Sequence, residues 1–320
     1  MIKVAIIGAG YMANEHIKAF SSLENVMVNG IFSRTKEKAI ILSKKYKIYA
    51  TYRNNADLNK FKRKENKKKF KVVFHKFDIK NYKKKDLEKI IYKKDFIINC
   101  AGVIKPYIDE GDFKSVENAI QINSVFPHFL NSVAKKFDIK IYQIATDCVY
   151  AGFKGNYTEN DNHDATDIYG KTKSLGEVKS PNFFNLRCSI IGHELKNNKS
   201  LIEWFKNSKK GSTLKGFNDH LWNGITTNAF AKIVKSIIEN NIQIPNNLHI
   251  IPKDKVTKYE LLKIFKKFFK RSDLTIIKTK SSQTITRTLK TIYIKKNLEL
   301  WKKSLYLKIE KIEKLVEEIK

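Results

Sequence analysis

Apolar stretches of strand length recur along the first two thirds of the chain, at 2–8, 26–32, 71–77, 95–101, 139–145 and 183–191. Between them the apolar residues fall at helical spacing, near 12–22, 35–46, 84–93, 114–137 and 169–179. A strand buried on both faces reads as an unbroken apolar run, so this alternation predicts an α/β fold with a doubly wound, Rossmann-type parallel sheet. Residues 53–70, RNNADLNKFKRKENKKKF, have no period and predict a solvated, lysine-rich linker. Past 191 the pattern changes to helices near 199–208, 227–241, 257–270 and 308–319, separated by loops with Gly, Asn and Trp. The expected division is a sheet domain over 1–190, with 1–52 as its first unit, and a smaller C-terminal lobe over 191–320.

Composition adds one loud feature, a net charge of +31 in 320 residues. Only six of the basic residues are arginine, the group suited to bidentate phosphate and base contacts, and the lysines are scattered. No nucleic-acid-binding motif accompanies them, so no nucleic-acid partner is expected; an anionic small molecule would profit from the same field. No apolar run reaches membrane-spanning length and the N-terminus lacks signal-peptide features, which predicts a cytoplasmic protein. The terminal KIEKIEKLVEEIK mixes acidic and basic residues on an amphipathic helix, so no membrane partner is expected there. Cys100, Cys148 and Cys188 lie in or beside apolar runs without a C-x-x-C pair and read as free thiols. His193 and His220 lack ligand companions, and no metal is expected.

The segment VAIIGAGYMANEH (4–16) reads as strand, glycine turn and helix start. Gly8 permits the turn, Gly10 lets the backbone approach a pyrophosphate, and Ala13 allows helix–strand contact; Tyr11 and Met12 lie on the same turn. The 1–190 domain is therefore expected to bind a dinucleotide. After the second strand stand Ser33 and Arg34, where an NAD site would place Asp or Glu, so NADP is expected, with NAD the alternative.

Tyr-x-x-x-Lys occurs three times in this lysine-rich chain. Tyr150/Lys154 spans a glycine loop, and Tyr259/Lys263 lies in an amphipathic helix. Tyr169/Lys173 differs: it follows a strand ending at Thr146, and i and i+4 share a helix face. A lysine ammonium beside a phenol lowers its pKa, the phenol exchanges a proton with a carbonyl or alcohol oxygen, and the Thr146 hydroxyl adds a second hydrogen bond.

Residues 71–290 resemble extended short-chain dehydrogenases/reductases, most closely the dTDP-4-dehydrorhamnose reductase type. The resemblance is carried by INCAGVIKP (98–106), ATDCVYAGFKGNYTENDNHDATDIYGKTKSLGE (145–177), NLRCSIIG (185–192) and GFNDHLWNGITT (216–227). It implies a catalytic set of Thr146, Tyr169 and Lys173, a cofactor-lining turn at Asn99, Ala101 and Gly102, an adenine contact at Asp78 and a proton-relay asparagine at Asn123. It also implies that the HLWNG segment faces a nucleotide-sugar. Asp147, Arg187 and Trp222 are the substrate-facing candidates; Arg187 could equally pair with a carboxylate, and Trp222 could simply be packed. Residues 1–52 instead resemble the nucleotide-binding start of the glucose–fructose oxidoreductase family, whose Lys-Pro step would fall on Lys105-Pro106. The expected activity is reduction of a 4-keto nucleotide-sugar for surface polysaccharide. A non-catalytic binding subunit of the same fold and an epimerase or dehydratase are the alternatives, and the assembly is left between monomer and homodimer.

Overall fold

In the computed structural model of the chain, residues 78, 79, 81–92, 96–193 and 199–320 are described, together with the backbone of four strands before them. Those strands are β1 (Ile2–Ile7), β2 (Val26–Phe32), β3 (Ile48–Tyr52) and β4 (Val72–Lys76). With β5 (Phe96–Asn99), β6 (Lys140–Ala145), β7 (Phe183–Arg187) and β12 (Asn247–His249) they form one eight-stranded sheet, ordered β4–β3–β2–β1–β5–β6–β7–β12. The pairs from β4 through β6 are parallel. The mixed α/β architecture of Rossmann type is as the apolar pattern predicts. The Gly8–Gly10 turn, Tyr11, Met12, Ser33, Arg34 and the 53–70 linker lie outside the described residues.

By contacts the chain forms two compact units, 1–144 with 171–185, and 145–170 with 186–320. In the first, α1 (Lys84–Ile91) and α3 (Phe126–Ala134) cover the sheet. Their buried Leu87, Ile90, Phe126, Leu130 and Val133 meet Ile97 and Ile141 of β5 and β6. Each such side chain contributes about 1.5–3 kcal/mol by leaving water.

The predicted helix over 114–137 is α2 (Phe113–Ile120), a π-helical turn (Gln121–Val125), then α3 and a 3-10 turn. Asp112 caps its start by accepting from the amides of Lys114 and Ser115. The π turn has a covalent reason. Pro127 has no N–H to give to the carbonyl of Asn123 four residues earlier, so the ladder widens there. The backbone of Gly176 packs against that carbonyl so closely that an added Cβ would stand 1.9 Å from it.

In the second unit, α6 (Thr227–Glu239) is capped by Thr226 and buries Phe230, Ile233, Val234 and Ile237. α7 (Lys258–Phe268) begins with a capping box of Thr257 and Glu260. It leads into β14 (Thr275–Thr279), which pairs in parallel with β9 (Thr213–Phe217). Among the elements here that escaped the sequence reading are α8 (Ile294–Lys303) and the β9–β14 pair. The predicted strand 183–191 breaks into β7 and a two-residue β8 (Ile190–Ile191), which pairs with β11 (Ile225–Thr226). Among the described residues no helix is long and apolar enough to cross a membrane.

Gly176→Ala is expected to destabilise the protein by about 1–3 kcal/mol, because backbone rather than a flexible side chain must yield. Urea unfolding of the variant beside the parent measures it, and equal midpoints would remove the close approach from this account.

Candidate active site

The strand order reverses at β1, which has β2 on one side and β5 on the other, with Ile7 beside Asn99. In open parallel sheets, ligands bind beyond the carboxyl ends of the strands at such a switch point. The turn after β5 is built for that place. Asn99 accepts from the amide of Ala101 through Oδ1 (3.2 Å), which tightens the turn. Gly102 is exposed there, and an added Cβ would make only ordinary contact, with Asn123 at 3.5 Å. Of this turn Asn99 and Ala101 are buried and Gly102 leaves its backbone open. Asp78 is half-buried just after β4. The sequence pattern gave no sign of β3, which stands between β2 and β4. Three strand spacings, about 14 Å, separate β4 from β1.

In the same unit the second half of α4 (Ile168–Leu175) is held by buried polar groups. Lys173, only 7% exposed, donates from Nζ to the carbonyl of Ile144 at 2.9 Å. Asn123 donates from Nδ2 to Thr172 Oγ1 (3.1 Å) and to the Val103 carbonyl (3.0 Å), and accepts from the Val103 amide (2.8 Å). Ser124 Oγ donates to the Thr172 carbonyl at 2.7 Å.

In the second unit, Thr146 leads a 3-10 turn (Asp147–Val149) and accepts from the Cys148 amide at 3.1 Å. Its hydroxyl donates to Asp147 Oδ1 at 3.2 Å and shares a hydrogen bond with the Tyr169 phenol. Gly170 lets the start of α4 approach this turn; a Cβ there would meet the Cys148 carbonyl at 2.2 Å. Thr146 and Tyr169 therefore lie side by side. The phenol's pKa moves the opposite way to the expectation: burial raises it above its usual value, with Cys148 and Asp147 adding to the rise and Thr146 opposing it. A lysine one helical turn away does not set the net direction, and the phenol is fully protonated at neutral pH.

Asp147 is 6% exposed. Burial lifts its carboxyl above the ordinary range, against Arg287, Lys258 and hydrogen bonds from Thr146 and Ser189. Burial likewise lowers the Lys258 ammonium, with Asp147 opposing. The Lys258 Nζ stands 5.7 Å from the centre of the Trp222 ring, whose Nε1 donates to Ser189 Oγ at 2.7 Å. Lys258, Arg287 and Ser189 were missed by sequence reasoning. No local pattern marks them, and they gather only through the fold.

Trp222 is 6% exposed and packs in the core with Ile191, Leu261 and Phe265. Arg187, 2% exposed, donates from Nη1 to Tyr150 Oη (3.2 Å) and to His249 Nε2 (3.0 Å). His249 Nε2 must then accept, so the ring is neutral and its Nδ1–H points at the Lys290 carbonyl, 2.7 Å away. Arg187 thus joins a tyrosine and a histidine. Tyr150 is a core residue, and Lys263 lies over the Tyr259 ring at 5.6 Å, so neither other Tyr-x-x-x-Lys pair resembles a proton-transfer centre. Lys105-Pro106 opens a 3-10 turn after β5.

The model of the RmlD substrate binding domain matches residues 41–319. The chain belongs to that family, and membership on a Rossmann-type sheet places it among the NAD(P)-dependent oxidoreductases. Solved structures share the fold at low identity. A dTDP-4-dehydrorhamnose reductase from Clostridium acetobutylicum is 18% identical, with 99% of this chain and 98% of that one covered and a TM-score of 0.67. The Bacillus anthracis reductase in complex with NADP is 15% identical, with 100% and 99% covered and a TM-score of 0.67. A UDP-glucuronic acid 4-epimerase from Bacillus cereus, in complex with NAD and UDP-glucuronic acid, is 16% identical, with 99% and 98% covered and a TM-score of 0.66. Among curated proteins, none matches the chain in sequence.

Burial pushes the Cys148 thiol up to about 12, with Asp147 adding to the shift. In mildly alkaline buffer the native protein should therefore react at Cys148 with iodoacetamide roughly a hundredfold or more slowly than the unfolded chain. Peptide mapping after timed alkylation reads this directly, and equal rates in the two states would contradict the site's electrostatics.

Proposed function

We propose that the protein reduces a 4-keto nucleotide-sugar with NADPH, NADH being the alternative donor, in the manner of the dTDP-4-dehydrorhamnose reductases. The observation that carries this reading is the hydrogen-bonded Thr146–Tyr169 pair, with Tyr169 one helical turn before the buried Lys173. The cofactor supplies hydride when bound. The residues to hold it are Asn99, Ala101 and Gly102 beyond β5, together with Gly8, Gly10, Tyr11, Met12, Ser33, Arg34 and Asp78. In this reading residues 1–52 act as a glucose–fructose-oxidoreductase-like grip.

The chain's own chemistry is a proton donation. The Tyr169 phenol, held protonated by burial, gives its proton to the substrate oxygen as charge develops there. Thr146 supplies a second hydrogen bond to that oxygen. Lys173 holds the nicotinamide ribose and offsets the phenolate left behind. Asp147 receives the sugar hydroxyls, with Arg287 and Lys258 on either side of it offering positive charge to an anionic substrate. Arg187 and Trp222 shape this surface from buried positions. A homodimer fits the apolar residues exposed on the first unit, Phe113, Ile120, Val125 and Leu175. The Bacillus cereus fold neighbour favours one second reading, epimerisation of a nucleotide-sugar, which would show no net consumption of reduced cofactor.

Tyr169→Phe is expected to lower turnover by roughly a thousandfold or more while leaving NADPH binding within a few-fold. NADPH oxidation against a panel of nucleotide-linked keto-sugars, beside a fluorescence titration of the cofactor, tests both halves. Undiminished turnover by the variant would end the proposal.

A further inference from the structure

The segment between α8 and α9 (Ile312–Glu317) alternates between core and solvent. Tyr306, 8% exposed, packs on Trp301 with ring centres 5.2 Å apart and donates to Glu318 Oε2 at 2.7 Å. Its two neighbours turn outward: Leu305 is 66% exposed and Leu307 77%. Leu307 also sits at φ 65°, the left-handed region that leucine rarely adopts. A bulky apolar residue held in a disfavoured backbone conformation and pointed at water serves neither folding nor solubility, and such strain clusters at ligand clamps and switches.

The surroundings are cationic. Lys302, Lys303, Lys308 and Lys311 are exposed around the two leucines. The nearby carboxylates are largely engaged. Glu299 pairs with Lys296 (2.7 Å) and Lys303 (3.5 Å), Glu313 with Lys267 (2.7 Å), and Glu318 with Lys232 (2.9 Å). Glu310 is half-buried and acts on Tyr306 and Lys314.

We propose that this segment docks the protein on an anionic phospholipid surface, Leu305 and Leu307 entering the apolar boundary while Lys302, Lys303, Lys308 and Lys311 meet the headgroup phosphates. Two leucines at a loop tip form no groove and offer far less than the roughly 800 Å² per partner of a stable protein interface. They suit a medium that needs no shape, and flexible lysine stems reach phosphates while their heads stay wet. The mixed charges of the terminal helix argued against a membrane in the sequence; the loop before that helix carries a different pattern. The proposal does not depend on the reductase reading.

The test is co-sedimentation of the full chain with vesicles of phosphatidylcholine alone, and of phosphatidylcholine and phosphatidylglycerol in equal parts. The parent should sediment only with the anionic vesicles. Leu305→Ser with Leu307→Asn should weaken binding by roughly tenfold or more, with an unchanged or higher melting temperature because Asn tolerates the left-handed backbone. Lys308→Glu, a surface change, should weaken it by roughly fivefold or more. Failure of the parent to bind overturns the proposal. So does full binding by the double-leucine variant, which would leave only diffuse charge, and so does leucine-dependent binding to polyglutamate in place of vesicles, which would mark an acidic protein as the partner.

Discussion

The last turn of α4 depends on buried polar groups reaching it from neighbouring elements. A helix leaves its final carbonyls without intrahelical donors. Here Ser124 Oγ takes the Thr172 carbonyl, His128 Nε2 lies 2.8 Å from that of Leu175, and Gln143 Nε2 donates to that of Gly176 at 2.8 Å. Gln143 in turn accepts from Asn99 Nδ2 at 2.7 Å, and both amides are 1% exposed. One chain of hydrogen bonds thus runs from the turn after β5, through β6, to the end of the helix that carries Tyr169 and Lys173. Each link is costly to break singly, because its partner would be left buried and unsatisfied.

The second unit relies on the same device with charged groups. Glu159 accepts from the His249 amide (2.8 Å), the Thr291 hydroxyl (2.6 Å) and the Ile292 amide (2.9 Å), while Arg187 joins Tyr150 to His249. These bonds tie 150–159 to the segment near 290 and back the turn bearing Thr146 and Asp147. The polar residues facing a ligand and those behind them are chemically alike, and burial and partners tell them apart.

Much of the fold was legible because a strand of a parallel sheet writes a mostly apolar run, as at β1, β2, β4, β5, β6 and β7. β3 was not, since IYATY offers only alternate aliphatic residues between lysine-rich flanks. The choice of Tyr169 among three equivalent spacings could be read from its context, a preceding strand ending in Thr146. Arg287 and Lys258 could not, because they reach Asp147 from 140 and 111 residues away (287 − 147 and 258 − 147) in a chain where a lysine is unremarkable anywhere. The contact grouping of 145–170 with 186–320, where the sequence suggested one line near 190, has the same origin. Asn156 and Tyr157 bond to Thr288, and Gly152 to Thr286, pairings that leave no trace in local periodicity.

A hydroxyl owns a single hydrogen, and that of Thr146 is already lent to Asp147. An uncharged oxygen arriving at this spot could claim it only by ousting a comparable acceptor, for little net gain. An oxygen acquiring negative charge is the stronger rival and wins the exchange. In the proposed reduction the threonine would thus be reserved for the moment at which charge appears, and its contribution would show in rate far more than in affinity.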